Sequence, residues 1–384
     1  MRGCLLGRKK LLVDKNRVDE FWRFGEALLE GGLLLADLYK YFTSVEKQSK
    51  QGTSMTTLSE RQTCQISEEQ RKAIEKFATN VVDGKFTVYE ELPRMIAPYI
   101  AGNEELKLAL CYSLASTPDK PVHLLMLGNP ASVKSDLLNE VKEIYPSAIF
   151  GGPRSTEAGL TINSQDGSPG LLMLANDGIA LIDEFDKIRR SEISATYQAL
   201  ESGKISVNTG KFKGDYATKF VCIAAANPKG GTFQSDAHVM RKQINDVISP
   251  PLLSRFHMIF LLRKESPEGI EDAVTTILTR KEKTNPNWKF LHEYFTYAKQ
   301  KGRKVEYDLD KNDPLVKEMA GFVVDALAKS EKGDICYYLT KRFAEALKRI
   351  SICSARLRLS GRVEEVDVRN AMRILKTALD SASI

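Results

Sequence analysis

The chain has 384 residues, of which 42% are hydrophobic, so it is long enough for two or three globular domains and is not a disordered chain. Its 56 Lys and Arg exceed its 50 Asp and Glu, and the net charge of +6 permits nucleic-acid contact without requiring it. The six Cys stand singly, without a C-x-x-C pair, and the longest apolar runs are shorter than the roughly 20 residues of a membrane span. We therefore expect an intracellular protein, cytoplasmic or associated with the nucleoid or nucleus, without zinc and without membrane contact.

The first part of the chain carries little chemistry. Residues 1–42 include apolar side chains at helical spacing and predict a short helical arm. The stretch 43–66, rich in Ser, Thr and Gln, is typical of a polar linker. Ser67 and Gln70 then form a capping-box pattern, which predicts that a helix and a folded domain begin here.

Beyond this helix, five short apolar runs alternate with helical patterns. Such runs are typical of strands buried on both faces, and their alternation with helices predicts a parallel α/β sheet. We assign residues 67–264 to this α/β domain and residues 265–384, where only helical patterns remain, to a separate helical domain. The five runs are "VHLLMLG" (122–128), "AIF" (148–150), "GIALID" (178–183), "FVCIAAAN" (220–227) and "MIFLLR" (258–263).

The segment "GNPASVKS" at 128–135 lies between the first run and a helical pattern. Gly128, Lys134 and Ser135 match a phosphate-binding loop, in which backbone amides and a helix N-terminus face phosphate oxygens. The lysine would neutralise phosphate charge, and the serine hydroxyl would bind magnesium. Val133 occupies the position of the usual second glycine, and ordinary strand-to-helix turns also produce this spacing. The loop alone therefore does not identify a nucleotide site.

Polar residues also stand beside three other runs. Asp183 would bind the metal and Glu184 would orient or deprotonate an attacking water, because adjacent acids at the end of a buried strand need a positive partner. Asn227 could contact water and a γ-phosphate, although Asn-Pro is also common at the start of a turn. Arg255 precedes the last run, where it would either reach a phosphate on a neighbouring subunit or lie at the surface as an ordinary charge.

Taken in order, these motifs resemble the motor region of the minichromosome maintenance (MCM) replicative helicases. The resemblance covers residues 96–379, roughly three quarters of the chain. It implies an AAA+ P-loop NTPase with a five-stranded parallel sheet in the nucleotide-binding domain and a C-terminal helical lid. Further matching segments are "IAPYIAG" (96–102), "EAGLTI" (157–162), "ALESGKISV" (199–207), "YFTYAKQ" (294–300) and "LTKRFAEA" (339–346).

The resemblance implies a role for each of these residues. Lys134 and Ser135 resemble the Walker A pair, Asp183 and Glu184 the Walker B acids, and Asn227 the sensor-1 residue; Arg255 resembles the arginine finger and Arg342 the sensor-2 arginine. The implied cofactors are ATP and Mg²⁺, with Ser135 and Asp183 on the metal. The implied partners are DNA and further subunits, in a homo-hexamer or a hetero-oligomer with a full-length MCM. The nucleotide would lie against Asp183 and the loop residues Gly128, Asn129, Pro130, Ala131, Ser132, Val133, Lys134 and Ser135.

The loop departs from the family pattern G-D-P-G-x-A-K-S at three positions. Asn129 and Ala131 replace Asp and Gly, and Val133 replaces Ala. Ala131 matters most, because a glycine there can take a positive φ, which costs a residue with a Cβ roughly 1 kcal/mol. We expect nucleotide binding to be weakened and not abolished.

Other family features are altered or missing. The hairpin that carries a DNA-gripping lysine in the family has Thr209 at that place, with Lys211 and Lys213 further along, so either the grip has moved to these two lysines or it has been lost. Tyr197 and His257 replace a family His and Asp, and the sequence assigns neither a role. Only about 95 residues precede the matching region, so we expect a divergent or truncated homologue without the N-terminal oligonucleotide-binding barrel and zinc module.

Three functions compete for this sequence. The leading hypothesis is an ATP-driven DNA helicase or translocase in DNA replication. The alternative is a degenerate MCM homologue, inactive as a helicase, that serves as a nucleotide- or DNA-binding structural subunit. An AAA+ remodeller of protein complexes is the third. DNA-stimulated ATP turnover that Glu184→Gln abolishes is expected only of the first.

Overall fold

The computed structural model of the chain describes residues 66–129, 133–152, 159–163, 167–208, 213–234, 236–263, 275, 278, 285–301 and 304–383. The arm predicted at 1–42 and, apart from residue 66, the linker predicted at 43–66 lie outside the described residues.

The helices and strands follow the order that the apolar patterns predict. The predicted capping box begins α1: the Gln70 amide donates to Ser67 Oγ at 3.2 Å, and the Ser67 amide donates to Gln70 Oε1 at 2.7 Å. Through the last sheet strand, the described elements are α1 (Glu68–Thr79), β1 (Val81–Val82), β2 (Lys85–Phe86), α2 (Val88–Met95), α3 (Glu104–Ala115), β3 (Leu124–Gly128), α4 (Lys134–Ile144), β4 (Ile149–Gly151), α5 (Leu171–Leu174), β5 (Gly178–Ile182), α6 (Arg190–Ser202), β6 (Lys204–Asn208), β7 (Lys213–Ala217), β8 (Phe220–Ala226), α7 (Ala237–Asn245), α8 (Pro250–Leu253) and β9 (Met258–Leu262). They are followed by α9 (Trp288–Lys301), α10 (Pro314–Lys332), α11 (Arg342–Leu357) and α12 (Glu365–Ala382).

The five apolar runs form the five strands of one parallel sheet, in the order β4-β5-β8-β3-β9. Every residue of β3 and β8 is buried, because both strands have neighbours on either side and helices on both faces. The predicted α/β fold class with a five-stranded parallel sheet is therefore confirmed. Since all five strands run in one direction, their carboxyl ends meet at a single edge of the sheet.

The four helices that the structure describes in full after β9 belong to the predicted helical lid. Helices α11 and α12 pack on each other, α11 also packs on α3, and α12 lies along β9. The Leu261 amide donates to Ser381 Oγ at 3.0 Å, so α12 covers the outer edge of β9. The domain boundary predicted at 264/265 falls outside the described residues and stays a prediction. Within the described part of the chain, no helix combines the length and the apolar character that crossing a membrane requires.

A buried ionic network joins the lid to α2. Arg358 donates through Nε and Nη2 to the two carboxylate oxygens of Asp367, at 3.0 and 2.7 Å. The Tyr89 hydroxyl donates to the same carboxylate at 3.1 Å, and the Glu364 amide donates to it at 2.9 Å. Asp367 is completely buried, so its charge depends on these four donors.

Candidate nucleotide-binding site

The predicted phosphate-binding loop leaves the carboxyl end of β3. Gly128 ends the strand, where an added Cβ would lie 2.8 Å from Leu262 Cβ and 3.3 Å from Lys134 Nζ, so only glycine fits between β3, β9 and the lysine. Val133, at the start of α4, has φ −60° and ψ −1° and therefore brings no left-handed backbone strain into the loop. Pro130, Ala131 and Ser132 lie outside the described residues.

The Lys134 ammonium is held at the mouth of this loop. Nζ donates to the carbonyl oxygens of Gly128 at 3.0 Å and Asn129 at 2.7 Å, and the residue is only 4% exposed. Burial lowers the pKa of Lys134 to about 8, against the opposing effect of the Asp183 and Asp186 carboxylates. At neutral pH the group therefore remains mostly cationic, and the two carbonyls fix the position of the ammonium at the loop.

The Asn129 side chain connects the loop to a neighbouring segment. Its Oδ1 accepts a hydrogen bond from the Phe233 amide at 3.2 Å, so the side chain ties the loop to the segment after β8. The exchange of the family Asp for Asn thus keeps an acceptor for this amide and removes a negative charge from the loop.

The hydroxyl and the carboxylate that are predicted to bind magnesium meet at the sheet edge. Ser135 Oγ donates to Asp183 Oδ2 at 2.8 Å, and the Glu184 amide donates to Asp183 Oδ1 at 2.8 Å. Glu184 has φ 52° and ψ 39°, a left-handed conformation that costs a residue with a Cβ about 1 kcal/mol or more. This bend turns the chain away from the strand direction, and the Glu184 carboxylate forms an ion pair with Lys187.

Asn227 reaches the same edge from β8, which lies between β5 and β3. The β3–β8 register pairs Leu127 with Ala226, so Asn227 follows at the level of Gly128. The Asn227 amide donates to Asp186 Oδ1 at 3.0 Å. The sequence analysis did not single out Asp186. The signal for it is the segment "DEFDK", in which this third carboxylate follows the acid pair Asp183 and Glu184 after one residue.

The two predicted arginines lie elsewhere, at the opposite edge of the sheet. Arg255 comes just before β9, whose first residue pairs with Leu124 and whose last pairs with Gly128. The length of a five-residue strand, roughly 13 Å, therefore separates the arginine from the phosphate-binding loop of its own chain. Arg255 and Arg342 meet there at Glu201: Arg342 Nη2 donates to Glu201 Oε1 at 2.7 Å, and Arg255 Nη2 forms an ion pair with the same oxygen at 2.8 Å.

Comparison with known proteins identifies the family. Residues 73–281 match the family model described as the MCM P-loop domain, and residues 289–379 match the MCM AAA-lid domain. The chain belongs to the MCM family. This membership places the chain among proteins that combine a P-loop domain with an AAA-lid domain.

Curated MCM relatives come from archaea, animals and plants. The chain is 30% identical over 378 residues to the minichromosome maintenance protein MCM of Saccharolobus solfataricus, which covers 92% of this chain and 52% of that protein. It is 27% identical to the zygotic DNA replication licensing factor mcm6-A of Xenopus laevis, over 76% of this chain and 38% of the relative. It is 28% identical to the DNA replication licensing factor MCM7 of Arabidopsis thaliana, over 80% of this chain and 45% of the relative. The chain thus spans about half or less of these relatives' lengths.

The hairpin predicted around residue 209 has two antiparallel strands, β6 and β7, which pair Asn208 with Lys213 at their outer end. Lys213 is exposed there, whereas Lys211 lies outside the described residues. DNA contact by either lysine stays a prediction.

The two departures from MCM that had no assigned role have clear contacts. The Tyr197 ring lies beneath the Arg255 guanidinium, and the ring centroid is 4.0 Å from the guanidinium carbon. His257 accepts the His123 amide through Nδ1 at 2.9 Å. No local sequence pattern predicts either contact, because each joins residues that are far apart in the chain.

Proposed function

We propose that this chain is an ATPase of the MCM type whose hydrolysis of magnesium–ATP drives movement along DNA in replication. The observation that carries the proposal is the hydrogen bond from Ser135 Oγ to Asp183 Oδ2 at 2.8 Å, beside the buried Lys134 ammonium. This is the arrangement of hydroxyl, carboxylate and cation that a magnesium–triphosphate requires.

The donor set fits magnesium. A hydroxyl and a carboxylate are hard oxygen ligands, and Ser135 and Asp183 would hold the ion between β3 and β5. When bound, magnesium supplies positive charge to the phosphate oxygens. The protein adds the Lys134 ammonium, which attracts the same oxygens.

The remaining groups at this edge act on water. Glu184 would orient or deprotonate the attacking water once its carboxylate leaves Lys187. Asn227 would fix that water and the terminal phosphate, because Asp186 holds its backbone amide in place. The reaction is then phosphoryl transfer to water, with positioning and charge stabilisation as the main contributions.

The arginines imply a second protomer. Arg255 and Arg342 lie at the amino ends of the strands, so they serve a nucleotide bound to a neighbouring copy or a related subunit. A closed ring in which every site is completed in this way is the simplest arrangement of such head-to-tail contacts. DNA would pass the β6–β7 hairpins, which makes the protein intracellular and DNA-associated.

The direct test is steady-state ATP hydrolysis by the purified chain, with and without forked DNA. Lys134→Ala and Glu184→Gln should each lower turnover by about a hundredfold or more, because each removes a group that acts on the transition state. Lys142→Ala is the matched control: this lysine lies in the same helix and donates to the carbonyls of Pro146 and Ala148.

The same assay separates the proposal from its alternative. Turnover that DNA stimulates and that both variants abolish supports a motor. Nucleotide binding with turnover that neither DNA nor the variants change supports a structural subunit that has lost hydrolysis.

A further inference from the structure

Four side chains form a compact cluster at the last turn of α6. Tyr197 and Glu201 are one helical turn apart, and the Arg255 guanidinium lies over the Tyr197 ring at 4.0 Å while donating to the Tyr197 hydroxyl. Glu201 Oε1 forms an ion pair with Arg255 Nη2 at 2.8 Å and accepts a hydrogen bond from Arg342 Nη2 at 2.7 Å. One carboxylate oxygen thus serves both arginines.

The two arginines differ sharply in exposure. The Arg342 side chain is 44% exposed, whereas that of Arg255 is 2% exposed. Two donors of Arg255, Nε and Nη1, have no partner among the described residues. A buried cation with unused donors is costly, so the Glu201 carboxylate and the Tyr197 ring are what hold it inside.

The cluster borders a cavity of about 380 Å³ between α6 and the lid helices α11 and α12. Arg349 and Glu345 line the same cavity and form an ion pair with each other. An anionic group that enters this cavity would meet Arg342 first, because that arginine is the exposed one. It would then compete with the Glu201 carboxylate for Arg255, whose unused donors offer additional hydrogen bonds.

We propose that Glu201 is the internal counterion of Arg255, and that a phosphate of a neighbouring protomer's nucleotide must replace its carboxylate. In the isolated chain Glu201 and Tyr197 are positioning residues: they keep Arg255 withdrawn and beside Arg342. The inference rests on the proposed function, since it concerns the arginines that complete a neighbouring site. Beyond that function, it identifies the ion pair between Glu201 and Arg255 as a contact that must break when ATP binds at the neighbouring site.

Kinetics of Glu201→Gln test this idea. The variant keeps the shape of the side chain and removes its charge, so Arg255 should leave the cluster more easily. We expect the KM for ATP to fall by about three- to fivefold, the size of a partly exposed ion pair, while kcat changes less than about twofold. Glu345→Gln, which breaks the other ion pair of the cavity, should leave the KM unchanged.

A double variant shows whether the effect acts through Arg255. Because Arg255→Ala is expected to be nearly inactive, this comparison uses equilibrium binding of a non-hydrolysable ATP analogue: Glu201→Gln should tighten binding in the natural sequence and leave it unchanged in the Arg255→Ala background, where the competing contact is already absent. An unchanged or higher KM in the single variant overturns the proposal. Tighter analogue binding that persists in the double variant overturns it as well.

A second measurement does not depend on hydrolysis. Arginine labelling by phenylglyoxal, read by mass spectrometry on the full chain without nucleotide, should be slow at Arg255 and several-fold faster in Glu201→Gln. Arg94, on the exposed face of α2, is the internal reference. An unchanged labelling rate at Arg255 contradicts the counterion role. If Lys134→Ala hydrolyses ATP like the natural sequence, the proposed function fails, and labelling still decides the inference.

Discussion

A pair of buried histidines should make this protein sensitive to mild acid. His123 and His257 lie at the amino ends of β3 and β9, with ring centroids 5.2 Å apart. Each ring accepts a backbone amide through Nδ1: His257 accepts that of His123 at 2.9 Å, and His123 accepts that of Cys222 at 3.0 Å. Protonation at Nδ1 would turn each acceptor into a donor and break both contacts.

The folded protein therefore resists protonation of both rings. Burial lowers the pKa of His123 to about 3, and it lowers the pKa of His257 well below its ordinary value; the Arg349 guanidinium acts in the same direction on both. The unfolded chain takes up these protons near pH 6.5, so folding becomes less favourable as the pH falls below that value. If each ring takes up one proton on unfolding, the free energy of unfolding is lower at pH 5 than at pH 7 by about 2 kcal/mol for each histidine and about 4 kcal/mol for the pair.

Urea unfolding followed by circular dichroism at pH 7, 6 and 5 measures this loss. Carboxylates also titrate over this range, so the informative comparison is with His257→Asn, whose amide oxygen can still accept the His123 hydrogen bond and does not titrate. Its stability should fall by about 2 kcal/mol less between pH 7 and pH 5 than that of the natural sequence. His238→Asn, at an exposed position in α7, should match the natural sequence. Equal pH dependence in the natural chain and His257→Asn would refute the reasoning.

Three further predictions concern the buried ionic network around Asp367, the Lys134 ammonium and Gly128 at the end of β3. Asp367→Asn should lower the free energy of unfolding by about 3 kcal/mol, because Arg358 loses its buried counter-charge, and a loss below about 1 kcal/mol in urea would contradict this. Because burial lowers the pKa of Lys134 to about 8, the KM for ATP should rise up to about tenfold per pH unit above pH 8, and a flat profile would exclude the lysine from phosphate binding. Gly128→Ala should lower the free energy of unfolding by about 1–3 kcal/mol and weaken nucleotide binding, because the added Cβ has no room. Gly321→Ala, where an added Cβ meets nothing within 4 Å, should be neutral or stabilising. Equal effects of the two substitutions would contradict the packing argument.

The sequence was sufficient for the sheet because local patterns determine it. Each of the five apolar runs contains a strand, and the fully buried strand Phe220–Ala226 shows why: a strand with neighbours on both sides has no solvent face and needs no alternation. The helix beginning at Glu68 was equally predictable, since its cap is a contact between residues three apart.

The site was predictable only in part. The residues at strand ends, such as Ser135 and Asp183, meet because parallel strands share one carboxyl edge, and the sequence order shows which residues follow strands. The contact of Glu201 with two arginines depends instead on how α6, the segment before β9 and α11 pack together. Asn129 likewise binds a backbone amide 104 residues away. Such contacts depend on tertiary packing, which no spacing rule within one segment describes.

The central claim is that each ATP site combines the loop of one protomer with the arginine of another. It is tested most directly by mixing Lys134→Ala with Arg255→Ala, each of which should be nearly inactive alone. In random mixed assemblies about one interface in four joins an intact loop to an intact arginine, so turnover should recover to about a quarter of that of the natural sequence. A mixture no more active than either variant alone would contradict the shared site.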